Sequence, residues 1–215
     1  MRRIVMFNQL STDGLFAAPD GSLDFVVPDP EQDRAVAASL TGRGALLFGR
    51  KTYEMFSHFW PGAAAGANTG AGDAPDPHGP HRSAELLKLA RWIDGADKYV
   101  FSRTLQPSAL TWHHSHVLPA LDAQTVLALK GSEGPDLMLF GSGSIVRALA
   151  GMGLIDEYQL MISPVILGRG RPLFAEVQPR VPLELIDAKA HASGNVLLRY
   201  RPRGGMSPLI AKDLR

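Results

Sequence analysis

The sequence predicts an α/β protein built on a mostly parallel central sheet, and three observations carry that prediction. Short apolar runs of strand length alternate with helical segments along most of the chain. Several of those runs pass straight into a helix through a short turn of Gly, Ser, Thr and basic residues. The last two runs follow one another with no helix between them, which predicts an antiparallel C-terminal edge.

The elements follow in order. Arg3–Leu10 is a buried strand broken by the turn residues Ser11-Thr-Asp-Gly14. Asp29-Pro30-Glu31 places proline and acids in a first helical turn, and the helix runs to a stop at Gly42. Ala45–Phe48 is a second strand, and Gly49-Arg-Lys-Thr52 opens a helix carrying Tyr53, Met55 and Phe56. Residues 61–82 turn abruptly to Ala, Gly, Pro, Asp and Asn, which predicts a low-complexity loop insert, a candidate lid over a substrate. Ser83 is a helix N-cap for the segment reaching Ile93, and Lys98–Phe101 is a third strand. Asp122–Lys130 is helical, Leu137–Phe140 a fourth strand, and Ser144–Ala150 a helix stopped by Gly151 and Gly153. Asp156–Val165, Leu183–Asp187 and Asn195–Arg201 are the late strands. The expected organisation is a single domain over residues 1–201, with a loosely held tail at 202–215.

Composition narrows the function. Of 215 residues 45% are hydrophobic and 20% charged, enough for a real core, and the net charge is only +1. Nothing in that balance calls for a nucleic-acid partner or an anionic membrane surface. No apolar run approaches the roughly 18 residues that span a bilayer, and the run after Met1-Arg-Arg is too short for a signal peptide. With no cysteine there is neither a disulfide nor a thiolate metal site, so a cytoplasmic location is expected.

Candidate chemistry sits in three strand-to-helix turns, Gly49-Arg-Lys-Thr52, Ser102-Arg-Thr104 and Gly141-Ser-Gly-Ser-Ile145. Glycine lets backbone approach a phosphate, a helix start supplies unpaired N–H donors, and arginine supplies a forked cation. Singly, each is an ordinary turn, a cap or a salt-bridged surface arginine. At successive strand ends of an open sheet they predict one elongated, multiply phosphorylated ligand, as a dinucleotide is. A Rossmann fingerprint is excluded because Val146 occupies the position three after Gly143, and no P-loop matches.

The set of segments Asn8-Gln-Leu-Ser-Thr-Asp-Gly14, Leu47-Phe-Gly-Arg-Lys-Thr-Tyr-Glu54, Tyr99-Val-Phe-Ser-Arg-Thr104, Leu139-Phe-Gly-Ser-Gly-Ser144 and Pro164-Val-Ile-Leu-Gly-Arg-Gly-Arg-Pro-Leu-Phe174 resembles the dihydrofolate reductase-like family. The branch it is most similar to is the C-terminal domain of the riboflavin-biosynthesis reductase (RibD). The resemblance covers Arg3 to Tyr200 apart from the insert. It implies a three-layer αβα fold, NADPH as cofactor, and reduction of a small heterocyclic or carbonyl-containing molecule.

Residue by residue, the resemblance assigns Gly49, Arg50, Lys51 and Thr52 to the cofactor phosphates. Ser102, Arg103 and Thr104 match the grip on the adenosine 2′-phosphate, and Gly141, Ser142, Gly143, Ser144 and Ile145 the pyrophosphate turn. Ala17 and Ala18 lie in the loop that closes over the nicotinamide.

The substrate side is thinner. Asn8, Asp13, Tyr53 and Trp60 are pocket candidates, each equally readable as packing or turn chemistry. Asp24, Asp29 and Asp33 lie near the family's pterin-binding carboxylate without aligning to it, so folate is not the expected substrate. No general acid is identified. Trp112-His-His-Ser-His116 lacks helical ligand spacing and reads as an exposed loop or edge strand, and His58, His78, His81 and His191 are scattered, so no metal site is expected. Two alternatives keep the fold: an FMN-binding protein using the same turns, or a nucleotide-binding protein without turnover. A homodimer sharing the apolar strand Tyr158–Leu167 is also expected.

Overall fold

The computed structural model describes residues 1–39, 42–66 and 83–204. One eight-stranded sheet organises them. Its strands are β1 (Ile4–Ser11), β3 (Ala45–Gly49), β4 (Asp97–Phe101), β5 (Ser115–Leu118), β6 (Leu137–Phe140), β7 (Glu157–Ser163), β9 (Leu183–Ala190) and β10 (Val196–Pro202). Two short strands, β2 (Leu15–Ala17) and β8 (Arg171–Pro172), pair separately. The spatial order is β5-β4-β3-β6-β1-β7-β10-β9. Every pair from β5 to β7 is parallel, and β10 runs antiparallel to both β7 and β9. A mostly parallel sheet with an antiparallel edge is therefore present.

The helices are α1 (Pro30–Ser39), α2 (Arg50–Ala64), α3 (Ala84–Gly95), α4 (Ala123–Gly131) and α5 (Gly143–Met152). Strand alternation divides their contacts. Ile4, Met6 and Leu10 of β1 join a cluster with Val126 of α4 and Ile145, Val146 and Leu149 of α5. Leu46 and Phe48 of β3 and Val100 of β4 instead pack with Tyr53 and Trp60 of α2 and Leu86, Ala90 and Ile93 of α3. The central strands read as continuous apolar runs because both faces are covered.

Three details depart from the sequence reading. The segment predicted as a loop from Pro61 begins as helix: α2 continues to Ala64, because burying Trp60 and Ala63 against the core outweighs the proline and glycine within it. Residues 67–82, which hold the rest of the expected insert and lid, lie outside the described residues, as do 205–215 of the expected tail. Pro202, placed in that tail, is the last residue of β10. The shared face predicted on Tyr158–Leu167 is taken up within the chain along β7, and only residues after the strand, Ile166 among them, are exposed. β7 lies between β1 and β10, and Tyr158, Leu160 and Met161 are buried in the chain's own core.

The histidine-rich segment is an edge, as expected. β5 closes one side of the sheet, His116 stacks on Tyr99, and buried Trp112 donates its indole N–H to Asp94 Oδ1 at 2.7 Å. No helix of the described residues is long and apolar enough to cross a membrane.

Candidate active site

Parallel pairing puts the carboxyl ends of β4, β3, β6, β1 and β7 on one edge, in that lateral order. The three predicted turns leave β3, β4 and β6, which are adjacent. The structure therefore lines up Gly49–Thr52, Ser102–Thr104 and Gly141–Ile145 along one edge, although up to 96 positions separate Gly49 from Ile145.

Two of the turns are bonded together. The Gly49 N–H donates to Ser142 Oγ at 2.8 Å, and Ser142 Oγ donates to Thr52 Oγ1 at 2.6 Å. A Cβ at Gly49 would stand 2.9 Å from Ser142 Oγ and 3.1 Å from Ile145 Cγ1, so any side chain there displaces Ser142. Gly141 and Ser142 are both left-handed, at φ 60° and 55°. For serine this conformation costs roughly 1–2 kcal/mol and marks a turn fixed by its surroundings.

Because Ser142 Oγ is committed across the site, it does not cap α5, and α2 likewise has no side-chain cap. Neither helix has an acid in its first turn. Both therefore begin with N–H groups that no side chain satisfies, at the positive end of the helix dipole. Arg50 and Lys51 add two exposed cations to the start of α2, where the dipole disfavours them. Arg50 reaches Glu54 only at 3.5 Å, an exposed pair of small worth. Next along the edge, Ser102 Oγ accepts from the N–H groups of Thr104 and Leu105 at 3.3 and 3.0 Å. That turn holds Arg103 exposed, with no carboxylate partner among the described residues. The edge suits an anion of several charges.

Ala17 ends β2, buried, and Ala18 follows it, with its N–H donating to Ser22 O at 3.0 Å. Between them and the glycine turn lies Phe16, whose ring would be 2.7 Å from a Cβ at Gly143. Phe16 thus seats the β1–β2 connection on the start of α5, a contact the sequence reading did not contain. An aromatic directly before Ala17 and Ala18 was its only visible signal.

The substrate candidates fare differently. Tyr53 and Trp60 are core: Tyr53 is 3% exposed, packs against Phe48 and Trp112, and its hydroxyl accepts from the Trp112 N–H at 3.4 Å, while Trp60 packs on Phe56 and Phe59. Asp13 is exposed and its carboxylate is already engaged, by Ser11 Oγ (2.6 Å), Gly168 N–H (2.8 Å) and Leu167 N–H (3.1 Å). These donors pull its pKa down to about 2, and its place is that of a brace between the β1–β2 turn and the segment after β7. Asn8 is buried with Oδ1 lacking a partner, on the β1 face of Met6 and Leu10, toward α5.

The opposite face of β1 carries Phe7, whose ring meets Phe140 at 6.1 Å, and then Gln9. Gln9 Oε1 is buried with no donor. Period-two alternation in β1 was the signal that separates Gln9 from Asn8. His191 is also not isolated as predicted: the fold brings it to Asp29 and Glu31.

A mostly parallel eight-stranded sheet with an antiparallel edge, and two helix starts bonded together at its carboxyl end, is an α/β fold of the dihydrofolate reductase-like type. Residues 2–198 match the RibD C-terminal domain, and the chain belongs to that family. Among its relatives, the uncharacterized protein YyaP of Bacillus subtilis (strain 168) is 29% identical over 205 residues, spanning 94% of this chain and 96% of that one. A candidate riboflavin biosynthesis protein from Shewanella sp. PV-4 superposes with a TM-score of 0.67 at 19% identity, covering 94% of this chain and 99% of that one. Dihydrofolate reductase from Enterococcus faecalis, solved with NADP(H) and RAB-propyl, gives a TM-score of 0.56 at 11% identity over 94% of this chain and 96% of that one.

Proposed function

We propose that the protein is an NADPH-dependent oxidoreductase that reduces a small heterocyclic or carbonyl-containing molecule. The observation that carries this reading is the alignment of three cationic or glycine-rich turns at adjacent strand ends, two of them uncapped helix starts bonded through Ser142. Membership of the RibD C-terminal domain family supports it.

In this reading Arg50, Lys51 and Thr52 hold phosphate oxygens at the start of α2, and Gly141–Ile145 receives the pyrophosphate on the backbone N–H groups of α5. Arg103 and Ser102, with Thr104, meet the 2′-phosphate, a dianion that rewards a free guanidinium. Ala17 and Ala18 border the nicotinamide. The bound nicotinamide supplies the hydride, and the chain orients donor and acceptor and excludes water. On the β1 face where Phe7 meets Phe140 of β6, Gln9 Oε1 is a buried acceptor suited to an N–H of a heterocyclic substrate.

The test is transfer of deuterium from NADPH labelled at the reactive ring carbon to a panel of pyrimidines, pterins and quinones, read by mass spectrometry of the products. Label in a reduced product supports the assignment. NADPH bound but never oxidised identifies a binding protein without turnover, and a yellow protein that releases flavin on heating identifies an FMN carrier.

A further inference from the structure

The start of α1 and the turn between β9 and β10 meet at a group of three side chains that the reductase reading does not use. Asp29, 5% exposed, precedes α1, Glu31 lies in its first turn, and His191 begins the β9–β10 turn. β10 starts opposite the end of β7, so this group lies at the same carboxyl edge of the sheet as the cofactor turns, displaced toward the antiparallel strands.

The His191 side chain is only 2% exposed, yet neither ring nitrogen has a hydrogen-bond partner. Its Nδ1 stands 3.3 Å from Asp29 Oδ2 and 3.6 Å from Glu31 Oε2. Nδ1 thus faces two carboxylates without a hydrogen bond to either, and only a positive charge among the three atoms, a proton on the ring or a metal ion, balances them.

The spacing is compatible with a metal ion, the three ligand atoms lying within 4.8 Å of one another. Ligand atoms about 2.1 Å from a tetrahedral zinc lie about 3.4 Å from one another, and the two distances to Nδ1 bracket that value. The remaining carboxylate oxygens are held from outside: Asp29 Oδ1 accepts the Gln32 N–H at 2.9 Å, and Glu31 Oε1 pairs with Lys189 Nζ at 2.8 Å. Ser193 Oγ donates to Asp29 Oδ2 at 2.5 Å, fixing the ligand atom as outer-shell donors do in metal sites.

We propose that Asp29, Glu31 and His191 form a site for one divalent cation of the zinc type, with water completing the coordination. The ion ties α1 to the β9–β10 hairpin, alongside the bond from Asn195 Nδ2 to Val27 O at 2.9 Å. It staples the connection that runs from the nicotinamide-side loop into α1.

The experiment uses the full chain stripped with a chelator, titrated with Zn²⁺ against a chromophoric competitor and followed in parallel by thermal unfolding. The expected result is one Zn²⁺ per chain and a raised Tm, with binding weakened at least about tenfold in His191→Gln. Glu31→Gln, at a half-exposed position, gives the same loss should His191→Gln not fold. The His113→Ala/His114→Ala double variant keeps wild-type binding. Failure of the stripped chain to take up one Zn²⁺, undiminished binding in the folded site variant, or loss of binding in the double variant overturns the proposal.

Discussion

The helices of this protein begin in two different ways. α3 and α4 are capped by their own sequence: Ser83 Oγ accepts the Leu86 N–H at 3.1 Å, and Asp122 Oδ1 accepts the Thr125 N–H at 2.8 Å. α2 and α5 follow β3 and β6 directly and are left open, with cations at the first and a left-handed serine before the second. Caps contribute about 1 kcal/mol each, so leaving two adjacent helix starts uncapped gives up stability at one place in the molecule. The difference sets the β3–β6 edge, left open as the proposed ligand requires, against the α3 and α4 starts, closed by their own side chains.

Substitutions at the two kinds of helix start break or sharpen that contrast. The largest effect is expected from Gly49→Val, whose side chain enters the space of Ser142 Oγ and Ile145. Overpacking costs about 1–3 kcal/mol of stability, and separating the two open helix starts abolishes NADPH binding measured by calorimetry. Ser142→Ala removes the acceptor of the Gly49 N–H and the partner of Thr52. An unpaired buried donor costs about 1–3 kcal/mol, so a Tm decrease accompanied by roughly tenfold weaker NADPH is expected.

Ser83→Ala lowers stability by about 1 kcal/mol in denaturant titrations, Asp122→Ala lowers it too, and both leave the NADPH Kd unchanged. A change in Kd there would erase the distinction between the two regions. The smallest effect concerns Asp13, whose pKa falls from 3.8 to about 2. A depressed carboxyl pKa contributes stability that is present above 3.8 and lost as pH falls toward 2. Asp13→Asn therefore unfolds with a shallower pH dependence in that window, measured by circular dichroism.

Much of the sheet was legible because its strands are continuous apolar runs punctuated by glycine, and the Ser83 cap reads directly from its spacing. β2 and β8 escaped because three and two residues carry no periodicity. The end of α2 escaped because Pro61 and Gly62 are local breakers, and only burial of Trp60 and Ala63 overrides them. Tyr53 and Trp60, equally readable in the sequence as pocket lining or packing, are packed in the core, and their spacing with Phe56 already describes the apolar stripe of a helix.

The three strand-end turns were visible as residue types, but their lateral adjacency depends on strand order, which no local pattern encodes. The meeting of His191 with Asp29 is of the same kind. It arises from a hairpin returning to a helix start 162 positions earlier.

The central claim is that the uncapped edge holds NADPH with Arg103 on its 2′-phosphate. Affinities for NADPH and NADH, measured calorimetrically for the wild-type chain and Arg103→Ala, test it most directly. The account predicts a wild-type preference for NADPH that falls about 10- to 100-fold in the variant, with NADH binding unaltered. Equal affinities in the wild type, or an unchanged preference in Arg103→Ala, would contradict it.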